Sequence, residues 1–376
     1  MMKVLIFSLS YFPLGGGAEM AIKEITQRIP NTEFRFELVT LRFNRSHPKF
    51  EHLGNLDIYR IGGGFGYLSK ILFIPQATWF AMRKQYDFYW VMMTYMLFPM
   101  VLLRIFGKKV PYILTLQDGD PFTHVFNRLR IIFFKPLLIY GFKRATKVQV
   151  ISNFLATWAK QMGYEGVVEV IPNGVPVENF QISLSPNEKN SLRKEWGMNP
   201  EDIILTSSSR LAKKNALDDV IRVIALLPEH FKFINFGFGP DKKKLGDLIQ
   251  TLKLSQRVKL LDYSEKALPR QFKACDIFIR PSLSEGQGIS FLEGMAAGLP
   301  VIATPVGGIP DFLKDGETGL FCEPKNPESI AKAVTKLMDD PALVARLKEN
   351  ALKMIKERYD WDLIASEMKS KVFRIL

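Results

Sequence analysis

The sequence predicts an α/β protein of two domains, and three observations carry that expectation. The chain has 376 residues, more than one hydrophobic core ordinarily serves. An apolar content of 47% excludes a disordered chain and suits large buried sheets. Short apolar runs bounded by Gly, Pro, Asn and Asp alternate with longer helical stretches along most of the length, which is the pattern of parallel sheets with helical crossovers.

The elements follow in order. Residues 3–9 read as a buried strand, then comes Tyr11-Phe12-Pro13-Leu14-Gly15-Gly16-Gly17-Ala18-Glu19 and a helix over 18–29. A glycine-rich turn between strand and helix opens a helix N-terminus over the sheet edge, a place suited to phosphate. Three glycines equally suit a tight turn that needs positive φ. The spacing is not Gly-x-Gly-x-x-Gly, which counts against a nicotinamide dehydrogenase. Strands are expected at 36–40 and 56–61, apolar stretches at 67–83 and 90–106, and strands at Phe88–Met92 and Tyr112–Leu116. The run from Trp90 to Leu103 is too short for a membrane span and contains Pro99, so it is read as a strand followed by a buried or interfacial helix. In 123–147 basic residues interleave with Phe, Ile and Leu, which fits a surface lying in a membrane interface or a core helix with solvated basic positions. A strand at 147–151, a helix at 152–162 and a strand at 167–171 lead to Pro172-Asn173-Gly174-Val175, a strong turn former. Residues 176–200 read as a linker and the first helix of the second domain. Strands are then expected at 203–207, 233–236, 259–261 and 277–279.

The net charge of +13 is uneven: residues 1–180 hold 21 Lys and Arg against 12 Asp and Glu, and the rest hold 30 against 26. A basic half points to nucleic acid, an anionic membrane or an acidic substrate. No zinc finger, RNA-binding aromatic signature or recognition helix is present, so a nucleic-acid partner is not expected. The two cysteines, Cys275 and Cys322, have no metal-like spacing and read as core fillers in a reducing compartment. The N-terminal run reads as a strand and not as a signal peptide, so a cytoplasmic enzyme is expected.

The chemistry concentrates in Ser284-Glu285-Gly286-Gln287-Gly288-Ile289-Ser290-Phe291-Leu292-Glu293. Two glycines and a serine opening a helix leave backbone N–H groups at the positive end of its dipole, where phosphate binds. Carboxylates bracket this loop, and sugar hydroxyls are natural donors to them. The stretch therefore suits a ligand with both phosphates and polyol rings. Glu285 and Glu293 can also be read as a solvated loop residue and a helix-start carboxylate favoured by the dipole.

Glu285 and Glu293 with seven residues between, followed by Ala297-Gly298-Leu299-Pro300 and Gly307-Gly308-Ile309-Pro310-Asp311, resemble the signature of the family 4 retaining glycosyltransferases of the GT-B fold. The resemblance spans nearly the whole chain and is densest from Arg210 to Leu320. It implies two Rossmann-like domains facing across a cleft that closes on the donor: 1–178 on the acceptor side, joined by 357–376 through a C-terminal helix that crosses back, and 179–356 for the donor. It implies transfer of a hexose-type sugar from a UDP- or GDP-sugar, as co-substrate, to a glycan or lipid-linked acceptor, with retention and without a metal or other cofactor. The enzyme would work in the cytoplasm, on a surface polysaccharide or glycolipid precursor. The open alternative for 123–147 would bring its basic domain to the inner face of the membrane.

Residue by residue, the resemblance gives Glu293 the ribose hydroxyls and Glu285 those of the donor sugar. Arg210 and Lys214 hold the diphosphate, aided by N–H groups over Gly286 and Gly288, Ile289, Ser290 and Phe291. A gapless match puts Asn215 where the family has its lysine. Gly237 and Gly239 lie where backbone approaches the nucleotide, and Asp262 and Tyr263 lie beside the base. In the first domain Gly15, Gly16, Gly17, Gln117, Asp118 and His124 are candidates for the acceptor and transferred phosphate. Gln117 stands where the family usually has histidine. Asp118 and Asp120 form an Asp-x-Asp that binds metal in other glycosyltransferases and is not used in this family. A GT-B epimerase, or a protein that binds sugar nucleotides without turning them over, remains an alternative.

Overall fold

The computed structural model describes residues 1–374, the side chain of Arg130 excepted. Contacts divide the chain into two compact units, Met1–Asn173 with the segment from Trp361 on, and Gly174–Asp360. Residues 375 and 376 of the C-terminal segment lie outside the described residues.

The first unit is built on eight strands: β1 (Met2–Phe7), β2 (Phe34–Leu41), β3 (Phe50–Leu53), β4 (Leu56–Ile61), β5 (Phe88–Met92), β6 (Tyr112–Leu116), β7 (Lys147–Val150) and β8 (Val168–Val170). Their order is β3-β4-β2-β1-β5-β6-β7-β8. All neighbours are parallel except β3, which folds back antiparallel on β4 through Gly54. The central strands are continuous apolar runs because helices cover both faces of the sheet. Every residue of β5 and β6 is buried.

One face carries the helix Gly17–Arg28 and the C-terminal segment. Trp361, Ile364, Met368 and Phe373 enter the core with Val4, Ile6, Phe36 and Trp90. The Phe373 ring lies 5.0 to 5.9 Å from the rings of Phe34, Phe36, Phe88 and Trp90. The expected return of the C-terminal helix to the first domain is thus realised as part of its core. The other face is covered by helices Leu68–Met82, Leu97–Ile105, Lys135–Arg144 and Asn153–Gln161. The expected continuous stretch 123–147 is three short helices, Phe122–Phe126, Leu129–Ile132 and Lys135–Arg144, before β7.

The second unit has six parallel strands: β9 (Ile203–Ser208), β10 (Phe231–Phe236), β11 (Val258–Leu261), β12 (Ile277–Arg280), β13 (Val301–Ala303) and β14 (Leu320–Phe321). Their order is β11-β10-β9-β12-β13-β14, so the chain reverses direction across the sheet between β9 and β12. Ligands bind at such switch points, beyond the carboxyl ends of the strands. Ser185 caps the helix Pro186–Glu195 in a capping box with Glu188. Both units are therefore parallel α/β layers of Rossmann type.

Candidate functional site

The centre of the second unit's site is assembled where β12 ends. Its last residue, Arg280, is only 5% exposed although it is a cation on a strand of Ile and Phe. One terminal nitrogen, Nη2, lies 2.7 Å from Glu285 Oε2, and the other, Nη1, 2.7 Å from Ser290 Oγ. The guanidinium stacks 4.1 Å above the Phe291 ring. Burial pushes the Arg280 proton affinity down, and Glu285 and Glu293 oppose that. A buried cation is tolerated only when paired and hydrogen-bonded. Arg280 meets that condition through its two terminal nitrogens, which tie the Glu285 loop to the start of helix Ile289–Ala296, while its buried Nε has no hydrogen-bond partner among the described residues. The motif reading of this stretch passed it over. The signal available was a lone arginine closing an apolar strand five residues before a glutamate.

Glycines set the remaining geometry. Gly288 caps the helix with φ +90°, and a β-carbon there would lie 2.7 Å from Arg280 Nη2 and 2.6 Å from the Phe291 ring. Gly307, at φ +58°, presses on Glu285, where a β-carbon would come within 1.8 Å of the carbonyl oxygen. Gly308 donates its N–H to that oxygen at 3.2 Å. Glu285 Oε1 accepts from the Gly286 N–H at 3.0 Å, so both carboxylate oxygens have a fixed donor and spare lone pairs.

Glu293 stands one turn inside the helix. Burial raises its pKa to about 7, the Arg280 charge pulls it back, and Glu265 adds to the rise. The phenol of Tyr263 is likewise raised by burial, then by Glu293 and Glu265. Tyr263, Glu265, Glu293 and Arg280 therefore share one electrostatic neighbourhood. Asp262 projects into solvent with Lys242 at 3.7 Å. The expected row of N–H donors is shorter than the motif suggested. The Phe291 N–H closes a turn on the Gly288 carbonyl at 3.1 Å, and the Ser290 hydroxyl is held by Arg280. Ile289 and Ser290 keep first-turn N–H groups, which have no acceptor inside an α-helix, and no side chain caps them.

Arg210 follows β9 and is exposed, whereas Lys214 is half-buried. Asn215 is buried and donates to the Arg210 carbonyl at 2.6 Å. Asn215 therefore braces the loop, and Lys214 is the cation beside it. The Lys214 carbonyl accepts from the Leu283 N–H at 2.7 Å, which joins this loop to that of Glu285. Gly237 and Gly239 follow β10. Their β-carbons would fall 2.0 Å from the Ser209 carbonyl oxygen and 2.3 Å from that of Leu211. Close backbone approach is thus their requirement, and the backbone approaching is that of the Arg210 loop.

In the first unit the glycine-rich turn follows β1. None of Gly15, Gly16 and Gly17 has a positive φ, so the tight-turn explanation fails. A β-carbon on Gly15 would meet the Phe12 ring at 2.6 Å, and one on Gly16 the Glu19 carboxylate at 3.1 Å. Close packing against the Phe12 ring accounts for Gly15, whereas the Glu19 carboxylate beside Gly16 is the end of a flexible side chain and excludes a β-carbon less strictly. Glu19, buried in the first helical turn, accepts the Ser10 hydroxyl, and burial raises its pKa.

Gln117, after β6, exchanges paired amide hydrogen bonds of 3.0 and 2.9 Å with Asn173. Its side chain is bound to the Pro-Asn-Gly turn. Asp118 is buried, accepts the Thr94 hydroxyl at 3.0 Å, and is raised to about 6 by burial. The preceding Met93 holds φ 66° and ψ 159°, a strained conformation for a side-chain-bearing residue. His124 is half-exposed, 4.0 Å from Asp120. Among the described residues no cluster of three His, Cys, Asp or Glu side chains suited to a metal ion occurs.

Comparison with known proteins agrees with this architecture. Residues 15–179 match the model for glycosyltransferase family 4, and residues 188–354 that for glycosyl transferases group 1. An uncharacterised glycosyltransferase of Methanocaldococcus jannaschii is 33% identical over 54% of this chain and 53% of its own length. The alpha-monoglucosyldiacylglycerol synthase of Acholeplasma laidlawii is 26% identical over 51% of this chain and 49% of its own. The chain thus spans about half the length of these relatives. The Anabaena protein HepE, solved in complex with UDP and glucose, superposes with a TM-score of 0.82 over 99% of this chain and 100% of that one, at 21% identity. Two family models on the two units, and a GT-B structure matching end to end, lead to one conclusion: this chain belongs to family 4 of the glycosyltransferases and has the GT-B fold.

Proposed function

We propose that the protein transfers a hexose-type sugar from a UDP- or GDP-sugar to a glycan or lipid-linked acceptor, with retention at the anomeric carbon and without a metal ion. The observation that carries this reading is the pair Glu285 and Glu293 on either side of a helix start, with Arg280 buried between them. Glu293 accepts the ribose hydroxyls and Glu285 those of the sugar. The first-turn N–H groups of Ile289 and Ser290, with Arg210 and Lys214, face the diphosphate. Fixed donors and cations of this kind stabilise the charge that develops on the leaving phosphate.

In the front-face route the acceptor oxygen attacks C1 as the C1–O bond to diphosphate breaks on the same side. The acceptor's proton passes to the departing phosphate oxygen. No side chain need become a covalent nucleophile. The name of the Acholeplasma relative, a diacylglycerol glycolipid synthase, supports a lipid-linked acceptor and hence work at the cytoplasmic face of the membrane.

A thermal-shift panel of UDP- and GDP-sugars on wild type and Glu293→Ala tests the donor assignment, since a ligand that binds only the folded state raises the midpoint. One sugar nucleotide should stabilise wild type and not the variant. Product analysis then separates the alternatives. A changed free sugar nucleotide made without acceptor indicates an epimerase, and binding without turnover indicates a non-catalytic module.

A further inference from the structure

The helical layer on one face of the first unit has an outer surface that its inner surface does not explain. In the helix Leu68–Met82, Phe73, Ala77 and Ala81 point into the core. The opposite side presents Leu68, Ile71, Leu72, Pro75, Trp79 and Met82 to solvent, at helical spacing. A helix apolar on both sides belongs in a core or in contact with lipid. The same holds further along the chain. Leu129, Ile132, Phe133, Pro136, Leu137 and Tyr140 form a second outward stripe, with Leu129 and Phe133 each 81% exposed.

The helix Leu97–Ile105 lies between the two. Tyr95 donates to the Lys70 carbonyl at 2.8 Å on one side, and Phe98 packs on Phe134 at 6.0 Å on the other. At its C-terminal end, Ile105 and the capping residue Phe106 are also exposed. Large contiguous apolar surface of this kind marks an interaction site.

Charge selects the partner. Residues 58–164 contain 14 Lys and Arg but only three acids, Asp87, Asp118 and Asp120, none of them on these helices. The cations stand next to the exposed rings. Arg83 stacks 3.1 Å over Trp79, Arg144 lies 5.6 Å over Tyr140, and Lys70 5.7 Å over Tyr67. Aromatic rings paired with cations, flanking aliphatic stripes, suit the headgroup level of a bilayer. A second copy of the chain would set this strongly basic surface, whose nearby acid Glu37 is already paired with Lys84, against itself and suffer like-charge repulsion. Among the described residues no helix is long and apolar enough to cross a membrane.

We propose that this face is a docking surface for an anionic lipid bilayer, with the Leu68–Met82 and Leu129–Tyr140 stripes entering the interface and the surrounding cations engaging lipid phosphates. It extends the proposed lipid-linked acceptor by assigning the surface that brings the protein to it. Its test needs no sugar nucleotide, so it stands or falls separately from the donor site.

The experiment is flotation of the full chain with vesicles of phosphatidylcholine alone or mixed with phosphatidylglycerol, read alongside tryptophan fluorescence. Trp79 is 57% exposed while Trp90, Trp158, Trp196 and Trp361 are buried, so a blue shift reports Trp79 entering lipid. Binding is expected on the anionic vesicles, with a blue shift that disappears in Trp79→Phe. The pair Leu129→Ser and Phe133→Ser, both at largely exposed positions, should lower partitioning by about a hundredfold or more. Arg83→Gln and Arg144→Gln, each removing one positive charge, should each lower it by about fivefold. Absence of vesicle binding would overturn the proposal. So would binding that the paired substitution leaves unchanged. A wild-type dimer that the same substitution turns into monomer would assign the face to self-association instead.

Discussion

Replacing Arg280 by alanine tests the reasoning about the donor site most directly. The side chain makes two contacts of 2.7 Å, to Glu285 and Ser290, and covers the Phe291 ring. Removing one member of a buried ion pair costs about 3–5 kcal/mol, because the partner is left without its counter-charge. Glu285 keeps the Gly286 N–H and 13% of its side-chain surface, so the lower end applies, roughly 3 kcal/mol. For a unit the size of Gly174–Asp360 that corresponds to a midpoint lower by about 6–12 °C.

Arg280→Lys keeps the charge but loses the planar fork that serves both partners at once. It should fold with a smaller loss, about 1.5–2 kcal/mol, the low end for one surrendered charge-assisted bond. Calorimetry gives the midpoints, and titration with the sugar nucleotide found in the panel gives affinity. Arg280→Lys should also bind donor about tenfold or more weakly, the effect of releasing a carboxylate that accepts a hydroxyl. An Arg280→Ala midpoint within 2 °C of wild type, on the scale of roughly 2–4 °C per kcal/mol, would refute the buried-pair argument. Unchanged donor affinity in Arg280→Lys would reduce Arg280 to a structural residue.

Other predictions follow from the same geometry. Glu293→Ala should abolish measurable donor binding while leaving the circular dichroism spectrum unchanged; near-normal affinity removes the ribose assignment. Because burial raises the Glu293 pKa from 4.5 to about 7, the folded state holds that proton more tightly than the unfolded one. Its contribution to stability therefore falls as pH rises from about 4.5 to 7, while donor affinity, which needs the carboxylate, strengthens over the upper part of that range. Titrations across this range should show the gain in donor affinity only in wild type, and a shallower decline of stability in Glu293→Gln, where Asp118, raised to about 6 by burial, still contributes. Gly307→Ala places a methyl group on the Glu285 carbonyl at a positive φ and should cost about 2 kcal/mol or more, measurable by urea unfolding. Activity should survive EDTA; loss that manganese restores would make Asp118 and Asp120 a metal site.

How much of this was legible in the sequence depends on whether a residue's reason for being there is local. β5 and β6 are legible to the residue because an apolar run covered on both faces needs no partner to be recognised. β13 and β14, three and two residues long, carry too little pattern to stand out. β3 exists through its pairing with β4, and only the Gly54-Asn55 turn hints at it. In the site, the spacing of Glu285 and Glu293 is a local signal, whereas Arg280 acquires its meaning only when the loop folds back to place Glu285 and Ser290 on its two nitrogens. Glycine is ambiguous for a related reason. Positive φ and close approach both select it, so Gly15, Gly16 and Gly17 resemble a tight turn until the Phe12 ring and the Glu19 carboxylate are seen beside them. The apolar surface shows the same limit from the other side. A helix apolar all round has no periodicity to reveal which stripe faces outward, and only the sheet beneath Leu68–Met82 decides that Phe73 is core and Trp79 is surface. What one sequence leaves unread is thus the set of residues whose partner is chosen by the path of the folded backbone and not by sequence spacing, even when that partner is only five residues away as Glu285 is from Arg280, and in this protein those are the residues that hold the site in place and face the membrane we propose.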